Sequence, residues 1–101
     1  MSKACDIPMR IKQLVYERDD GKCIICHFPG VPNAHFIPRS LGGLGIEQNI
    51  VTLCPACHYD YDNGLKRKQY GEKIEEYLKT YYGDTWKKED LIYRKYFPKG
   101  E

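Results

Sequence analysis

Residues 48–64, QNIVTLCPACHYDYDNG, carry the strongest structural signal in the chain. The first part of this stretch, NIVTL, is a short apolar run that predicts a buried strand, and Pro55 favours the first turn of a helix directly after it. The closing Asn-Gly pair is a typical helix stop. Cys54 and Cys57 lie where the predicted strand meets the predicted helix. A strand, a cysteine pair and a helix are therefore expected in immediate succession.

A second cysteine pair, Cys23 and Cys26, precedes the first by 27 residues. Two residues between thiolates let a tight turn aim both sulfurs at one ion, and two such pairs complete a tetrahedron. The gap exceeds the roughly 15–20 residues usual in zinc ribbons, and a strand-loop-strand insert accounts for the excess. The four cysteines predict a structural zinc site with no open coordination position. A redox pair or buried thiols are the alternatives.

The composition of the chain also favours a metal. Leu, Ile, Val and Phe supply only 22 of 101 residues, so the core is thin and needs disulfides or a metal. We find no signal peptide and no stretch near the roughly 18 apolar residues of a membrane span. We therefore expect a cytoplasmic protein, in which paired cysteines indicate metal. The net charge of +2 is weak evidence for a nucleic-acid partner. Cys5 is unpaired and is interpreted as incidental.

Hydrophobic periodicity gives the remaining elements. A first helix is predicted at 7–19, with Pro8 in its first turn and Ile7, Ile11, Leu14 and Val15 on one face. A strand near 34–37 and a glycine-rich loop precede NIVTL. After the helix that Pro55 opens, an amphipathic helix is predicted at 70–82, ended by Gly83, and then a short helix at 86–90 and an extended tail. The chain is predicted to be α+β.

Four motifs together resemble a known family. CIIC (23–26), AHFIPRSLGG (34–43), QNIVTLCPACH (48–58) and DNG (62–64) are similar to the HNH nucleases of the His-Me finger, or ββα-metal, superfamily in their zinc-stapled form. The similarity is close over 23–64. It is looser for the helix predicted before this region and for DLIYRKY (90–96), which resembles small phage-type HNH proteins. It implies a small ββα-metal core at about 20–66 with a four-cysteine zinc site and flanking helices. A single domain over 1–101 is expected, its segment 67–101 helical and extended.

The resemblance also implies roles for three residues. His35 corresponds to the general base that takes a proton from water, and a neutral imidazole with a pKa of roughly 6.5 suits that task. Asn49 corresponds to the asparagine that ties down the loop between the strands. His58 corresponds to a ligand of a catalytic divalent metal, which would be Mg²⁺, Mn²⁺, Ni²⁺ or Zn²⁺. A packed strand histidine is the alternative for His35, and a bystander of the zinc site is the alternative for His58.

One position departs from the family pattern. The residue before the base is commonly Asp, Glu or His and supplies a second metal ligand, but here it is Ala34. Asp62 is the best replacement, because residues four apart share a helix face with His58 and a carboxylate suits a hard cation. Asp60 is expected to point elsewhere. A helix-terminal cap is the alternative role for Asp62.

Basic residues are candidates for DNA contact. Arg39 lies near His35 and suits bidentate binding of a phosphate. Two stretches mix cations with tyrosines, as backbone-binding grooves do, and their candidate residues are Lys66, Arg67, Lys68, Arg94 and Lys95. Solvated basic faces are the alternative. The loop glycines at 42, 43 and 45 suit close approach to a duplex or a tight turn.

The resemblance thus predicts a metal-dependent HNH endonuclease that hydrolyses DNA phosphodiester bonds by nicking or double-strand cutting. No helix carries an array of base-reading side chains, so low sequence specificity is expected. The alternative is a catalytically weak or inactive zinc-stapled DNA-binding module, and a thiol-redox protein is a third hypothesis. Double-stranded DNA is the expected partner, with phage packaging proteins suggested by the family. No membrane partner is expected, and a phage-encoded chain would act in the host cytoplasm.

Overall fold

A computed structural model describes residues 3–93. The elements follow the order α1 (Met9–Arg18), β1 (Val31–His35), β2 (Ile50–Leu53), α2 (Pro55–Asp62) and α3 (Arg67–Tyr82). The two strands pair antiparallel, and α2 starts directly after β2 at its N-cap, Cys54. This ββα unit with flanking helices confirms the predicted α+β fold class. Within the described part of the chain, no helix combines the length and apolar character needed to cross a membrane.

Strand β1 lies earlier in the chain than the predicted strand at 34–37. Val31 lies opposite Leu53 and Ala34 opposite Val51, so β1 holds one extra residue between these pairs. Pro32 falls in this irregular part, where a missing N–H is tolerated. The strand ends at His35 because the next two backbone N–H groups bond to Asn49, as described below. The prediction was correct in the existence of the strand and wrong in its bounds.

The helices also differ from their predicted bounds. α1 starts after Pro8, which is its extended N-cap and not a first-turn residue. Leu14 was predicted on the buried face but is 44% exposed, whereas Ile11 and Val15 are buried. α3 begins three residues before the predicted start. The predicted helix at 86–90 is a 3-10 turn at Lys88–Leu91.

The main core lies between the sheet, α2 and α3. One cluster of buried residues joins these elements, and its members include Ala34, Phe36, Val51, Leu53, Tyr61, Ile74, Leu78, Trp86 and Leu91. A smaller cluster of Ile11, Val15 and Ile50 holds α1 against the other side of β2. β2 is therefore buried on both faces, and this packing fixes its position relative to β1 and α2.

A polar network also anchors β2, and the sequence did not predict it. The side chain of Arg18 bonds to the Asp19 carboxylate at 2.7 and 3.0 Å and donates to the carbonyl of Ile50 at 2.7 Å. Asp19 in turn accepts from the N–H of Thr52, and the hydroxyl of Tyr77 on α3 donates to it. Because the pair is buried, removing one partner would leave an unpaired charge at a cost of about 3–5 kcal/mol.

Candidate functional site

The four paired cysteines come together in a metal centre. Their Sγ atoms all lie within 4.8 Å of one another. The sulfurs of a tetrahedral zinc site with 2.3 Å bonds lie roughly 3.8 Å apart, so small shifts suffice to bind one ion. Among the described residues, this is the one group of three or more His, Cys, Asp or Glu side chains close enough to hold a metal ion. The four cysteines are therefore positioned to bind a metal, as predicted.

Backbone geometry forms the two turns of this centre. The N–H of His27 donates to the carbonyl of Cys23 at 2.8 Å, and His27 adopts a left-handed φ of 69° that lets the first turn reverse. In the second turn, the N–H of Cys57 points at Sγ of Cys54 at 3.4 Å. N–H groups directed at sulfur stabilise thiolates. His27 therefore belongs to the turn of the cysteine pair.

The electrostatics of the centre also fit a cation. Burial raises the pKa of the Cys57 thiol, and the adjoining thiols of Cys54, Cys23 and Cys26 raise it further. Four thiolates at this spacing repel one another unless a positive charge lies between them. A bound divalent metal supplies that charge and deprotonates its thiol ligands.

A cleft of about 890 Å³ lies beside the ββα unit. Its wall contains His35 from the end of β1 and two residues of α2, His58 and Asp62. The structure thus brings together three residues that the sequence analysis singled out. The cleft lining also includes Asp6, Ile7, Lys12, Asn33, Pro38, Arg39, Ser40, Leu41 and Arg67.

The imidazole of His35 is half-buried and held by the backbone. Its Nε2 lies 2.8 Å from the carbonyl oxygen of Cys5. A carbonyl oxygen only accepts, so Nε2 carries the proton and, in the neutral ring, Nδ1 carries the lone pair. Burial lowers the pKa of His35, and the charge of Arg39 acts in the same direction. The neutral form is therefore favoured at pH 7. Cys5 is 1% exposed, and its contribution to the site is this backbone carbonyl.

Asn49 is fully buried and closes the loop between the strands. Its Oδ1 accepts from the N–H of Ile37 at 2.8 Å, and its Nδ2 donates to the carbonyl of Leu44 at 2.8 Å and to that of Ile37 at 3.2 Å. Its own carbonyl accepts from the N–H of Phe36. These bonds take over where the ladder of β1 ends, directly after His35. A catalytic contribution of Asn49 stays a prediction.

His58 and Asp62 form a pair on the exposed side of α2. Nε2 of His58 lies 3.0 Å from Oδ2 of Asp62, one helical turn away. Asn63 caps the C-terminal end of α2, because its N–H and its side-chain amide both donate to the carbonyl of Tyr59. Asp62 therefore is not needed to close this end of the helix, and its carboxylate meets His58 in the cleft.

The strand face explains the departure at position 34. Ala34 is 1% exposed and lies in the main core, because alternate residues of a strand point to opposite faces. Asn33 lies on the cleft wall with His35, two residues away on the same strand. A period of two counted back from His35 would have identified Asn33, which the sequence analysis missed.

The candidate DNA-binding cations fall into three groups. Arg39 and Arg67 line the cleft, and Arg39 forms an ion pair with Asp6 at 2.6 Å. Lys66 and Lys68 are exposed at the start of α3. Arg94 and Lys95 lie outside the described residues. Lys12 on α1 also lines the cleft, a position that the sequence analysis did not single out.

Comparison with known proteins agrees with this geometry. The family described as HNH endonuclease matches residues 23–64, which span both cysteine pairs, β1, β2 and α2. A curated protein from Nostoc sp. (strain PCC 7120 / SAG 25.82 / UTEX 2576), named Anaredoxin, is 53% identical over 57 residues, or 54% of this chain and 75% of the relative. The chain belongs to the HNH family. The resemblance inferred from the four motifs is thereby confirmed.

Membership in the HNH family sets the range of functions. An HNH domain with a metal-binding cysteine centre indicates a nuclease or a DNA-binding module. The HNH match ends at Gly64, so it excludes α1, α3 and the segment that carries Cys5. The acceptor of the His35 hydrogen bond consequently comes from outside the HNH unit.

Proposed function

We propose that this protein is a metal-dependent HNH endonuclease that hydrolyses phosphodiester bonds of DNA. The observation that supports the proposal most strongly is the hydrogen bond from Nε2 of His35 to the carbonyl of Cys5. It leaves Nδ1 of a half-buried, neutral imidazole as the proton acceptor, in a cleft that also holds His58 and Asp62. A general base, two metal-ligand side chains and phosphate-binding cations therefore share one cleft.

The proposed reaction starts with proton transfer from a water molecule to Nδ1 of His35. The resulting hydroxide attacks phosphorus, and the bond from phosphorus to the leaving oxygen breaks. The leaving oxygen takes a proton from solvent, and His35 then releases its own proton to solvent. A divalent metal held by His58 and Asp62 would neutralise charge on the scissile phosphate and the leaving oxygen. Because only two protein donors are proposed, phosphate oxygens and water would have to complete the coordination shell of such a metal. Arg39 binds an adjacent phosphate, and Asn49 keeps the loop after His35 closed.

The cysteine centre has a different task in this proposal. All four ligands are protein thiolates, and a closed site of this kind binds zinc structurally. Cys54 is the N-cap of α2, so zinc would fix the helix that carries His58 and Asp62. Thiols bound in this way suit a reducing compartment, which supports the cytoplasmic expectation. Double-stranded DNA is the proposed partner, and phage packaging proteins stay a prediction from the resemblance.

A second candidate function is DNA binding without cleavage. It is favoured by Ala34, which faces the core and leaves His58 and Asp62 as the two proposed metal ligands. In that case the protein would bind DNA through cations alone, with an affinity that falls steeply as salt is raised.

Conversion of supercoiled plasmid to nicked and linear forms separates the two functions. The protein, saturated with zinc at its cysteine centre, is incubated with plasmid and Mg²⁺, Mn²⁺, Ni²⁺ or Zn²⁺ in turn. The endonuclease proposal expects nicking with at least one of these metals and none in the chelator-treated control. If the protein binds DNA in a salt-sensitive way but nicks it with none of the four metals, its function is that of a DNA-binding module.

A further inference from the structure

The segment of residues 4–7, which we call the strap, precedes α1 and crosses the loop between the strands. Three of its contacts reach the site. The carbonyl of Ala4 accepts from the N–H of Gly45 at 2.9 Å, and the carbonyl of Cys5 accepts from His35. The carboxylate of Asp6 pairs with Arg39. The strap therefore connects a loop glycine, the proposed base and the proposed phosphate ligand.

We propose that the strap is a positioning element for His35, supplied from outside the HNH unit. The proposal rests on the nuclease function proposed above and names what orients its base. A histidine ring rotates about two side-chain bonds, and β1 ends at this residue, so the strand alone leaves the ring orientation open. The Cys5 carbonyl selects both the ring orientation and the tautomer with the lone pair on Nδ1. The strap is a positioning element because the backbone carbonyl acts through His35.

The position of the strap depends on a glycine. A Cβ atom at residue 45 would lie 1.9 Å from the carbonyl oxygen of Asp6 and 2.6 Å from its carbonyl carbon. Both are backbone atoms, so a side chain at this position would force the strap away from the loop. From sequence alone, this glycine suits a tight turn or close approach to a duplex. In the structure it is a point of close approach between the loop and the strap of the same chain.

The side chains of the strap also pack against the rest of the protein. The thiol-bearing residue Cys5 is almost fully buried, and Ile7 packs against the cluster of Ile11, Val15 and Ile50. Ordinary thermal displacement of the strap is thereby opposed on both sides of the Cys5 carbonyl. Displacement of the strap would expose the His35 imidazole to water and remove its acceptor, the Cys5 carbonyl. The ring orientation and the hydrogen bond would therefore be lost together.

The variant Gly45→Ala tests the proposal, with Gly71→Ala as the matched control. A Cβ at residue 71 would meet Tyr61 at an ordinary 3.5 Å, so the same substitution there leaves the strap unchanged. In the zinc-loaded protein, the Hε2 proton of His35 is followed by ¹H–¹⁵N NMR, and plasmid nicking gives kcat. We expect a slowly exchanging Hε2 resonance in the wild type and the control. In Gly45→Ala we expect its loss and a decrease in kcat of about tenfold or more.

A second change weakens the acceptor without adding an atom near the strap. An ester in place of the amide between Cys5 and Asp6 makes the Cys5 carbonyl a weaker acceptor and deletes no side chain. It should speed exchange of the Hε2 proton and lower kcat, and it decides the question if Gly45→Ala does not fold. Wild-type kcat and an intact Hε2 resonance in the ester variant would overturn the strap proposal alone. Failure of the wild-type protein to nick plasmid with any of the four metals would overturn the nuclease function as well.

Discussion

Nε2 of His58 lies 3.0 Å from Oδ2 of Asp62, one turn further along α2. Neighbouring ligand atoms around an octahedral cation with bonds of about 2.1 Å are also separated by roughly 3.0 Å. The two side chains contact each other directly at this distance, and a cation could replace that contact with little movement of either, on the wall that also carries His35. We infer that Asp62 supplies the metal ligand that Ala34, buried in the core, does not.

The first prediction concerns this carboxylate. Asp62→Asn should weaken binding of the catalytic divalent metal by about tenfold or more, because a neutral amide is a poorer ligand for a hard cation. Isothermal titration of the zinc-loaded protein with Mn²⁺ measures the change. Asp60→Asn removes the same charge from the same helix and should bind Mn²⁺ like the wild type. Equal affinities for all three proteins would exclude Asp62 as a ligand.

The second prediction concerns the cysteine centre. Stripping the metal with a chelator, or changing Cys57 to Ser, should abolish the cooperative thermal transition, because the thin core depends on the ion. Circular dichroism follows the transition and mass spectrometry of metals gives the stoichiometry. Cys5→Ala changes a cysteine outside the centre and should keep one zinc per chain. A chelated protein that melts like the untreated one would instead favour the thiol-redox hypothesis.

The third prediction is a pH dependence. Burial lowers the pKa of His35 below its ordinary 6.5. The base is active when neutral, so kcat/KM should rise with pH, with a midpoint below 6.5, and be level near pH 7. The unfolded chain binds the proton more tightly, so the free energy of unfolding should fall as pH is lowered from 6.5 through the pKa of folded His35. A midpoint above 6.5 in a pH–rate profile would show that another group limits the reaction.

The fourth prediction concerns the ion pair of Arg39 and Asp6. Both side chains are substantially exposed, at 42% and 59%, and such a pair contributes up to about 1 kcal/mol. Asp6→Asn should therefore release Arg39 for phosphate and tighten DNA binding by up to about fivefold, as measured by fluorescence anisotropy at low salt. Asp20→Asn makes the same change in net charge and removes the carboxylate that pairs with Lys22, so it serves as the control. Equal tightening in both variants would assign the effect to overall charge.

Short-range patterns made the metal centre and the ββα unit predictable from sequence. The two cysteine pairs, the apolar run before Cys54 and the proline after it are all local signals, and the structure contains a strand and a helix at that point. The bounds of β1 were missed because Asn49, 12 residues after Ile37, replaces the ladder by side-chain bonds. Hydrogen bonds from one side chain, here Asn49, to a strand backbone produce no periodic sequence pattern from which they could be predicted.

The strap and the Arg18 network could not be predicted for a related reason. The carbonyl of Cys5 and Nε2 of His35 are separated by 30 residues, and a backbone acceptor carries no signature in the sequence. The arginine on α1 reaches Tyr82 on α3 across 64 residues. Contacts of this range depend on how α1 packs on the sheet, which periodicity does not define. Asn33 is different, since counting by two from His35 would have found it.

The cleavage rate of His35→Ala at saturating DNA measures how much His35 contributes as the general base. The zinc-loaded wild type and variant are compared on supercoiled plasmid with the most active divalent metal, after anisotropy has shown equal DNA binding. We expect a decrease in kcat of about 10²–10⁴-fold, the usual contribution of a positioned general base, with zinc content and a folded state retained. Nicking by His35→Ala at the wild-type rate would contradict this role.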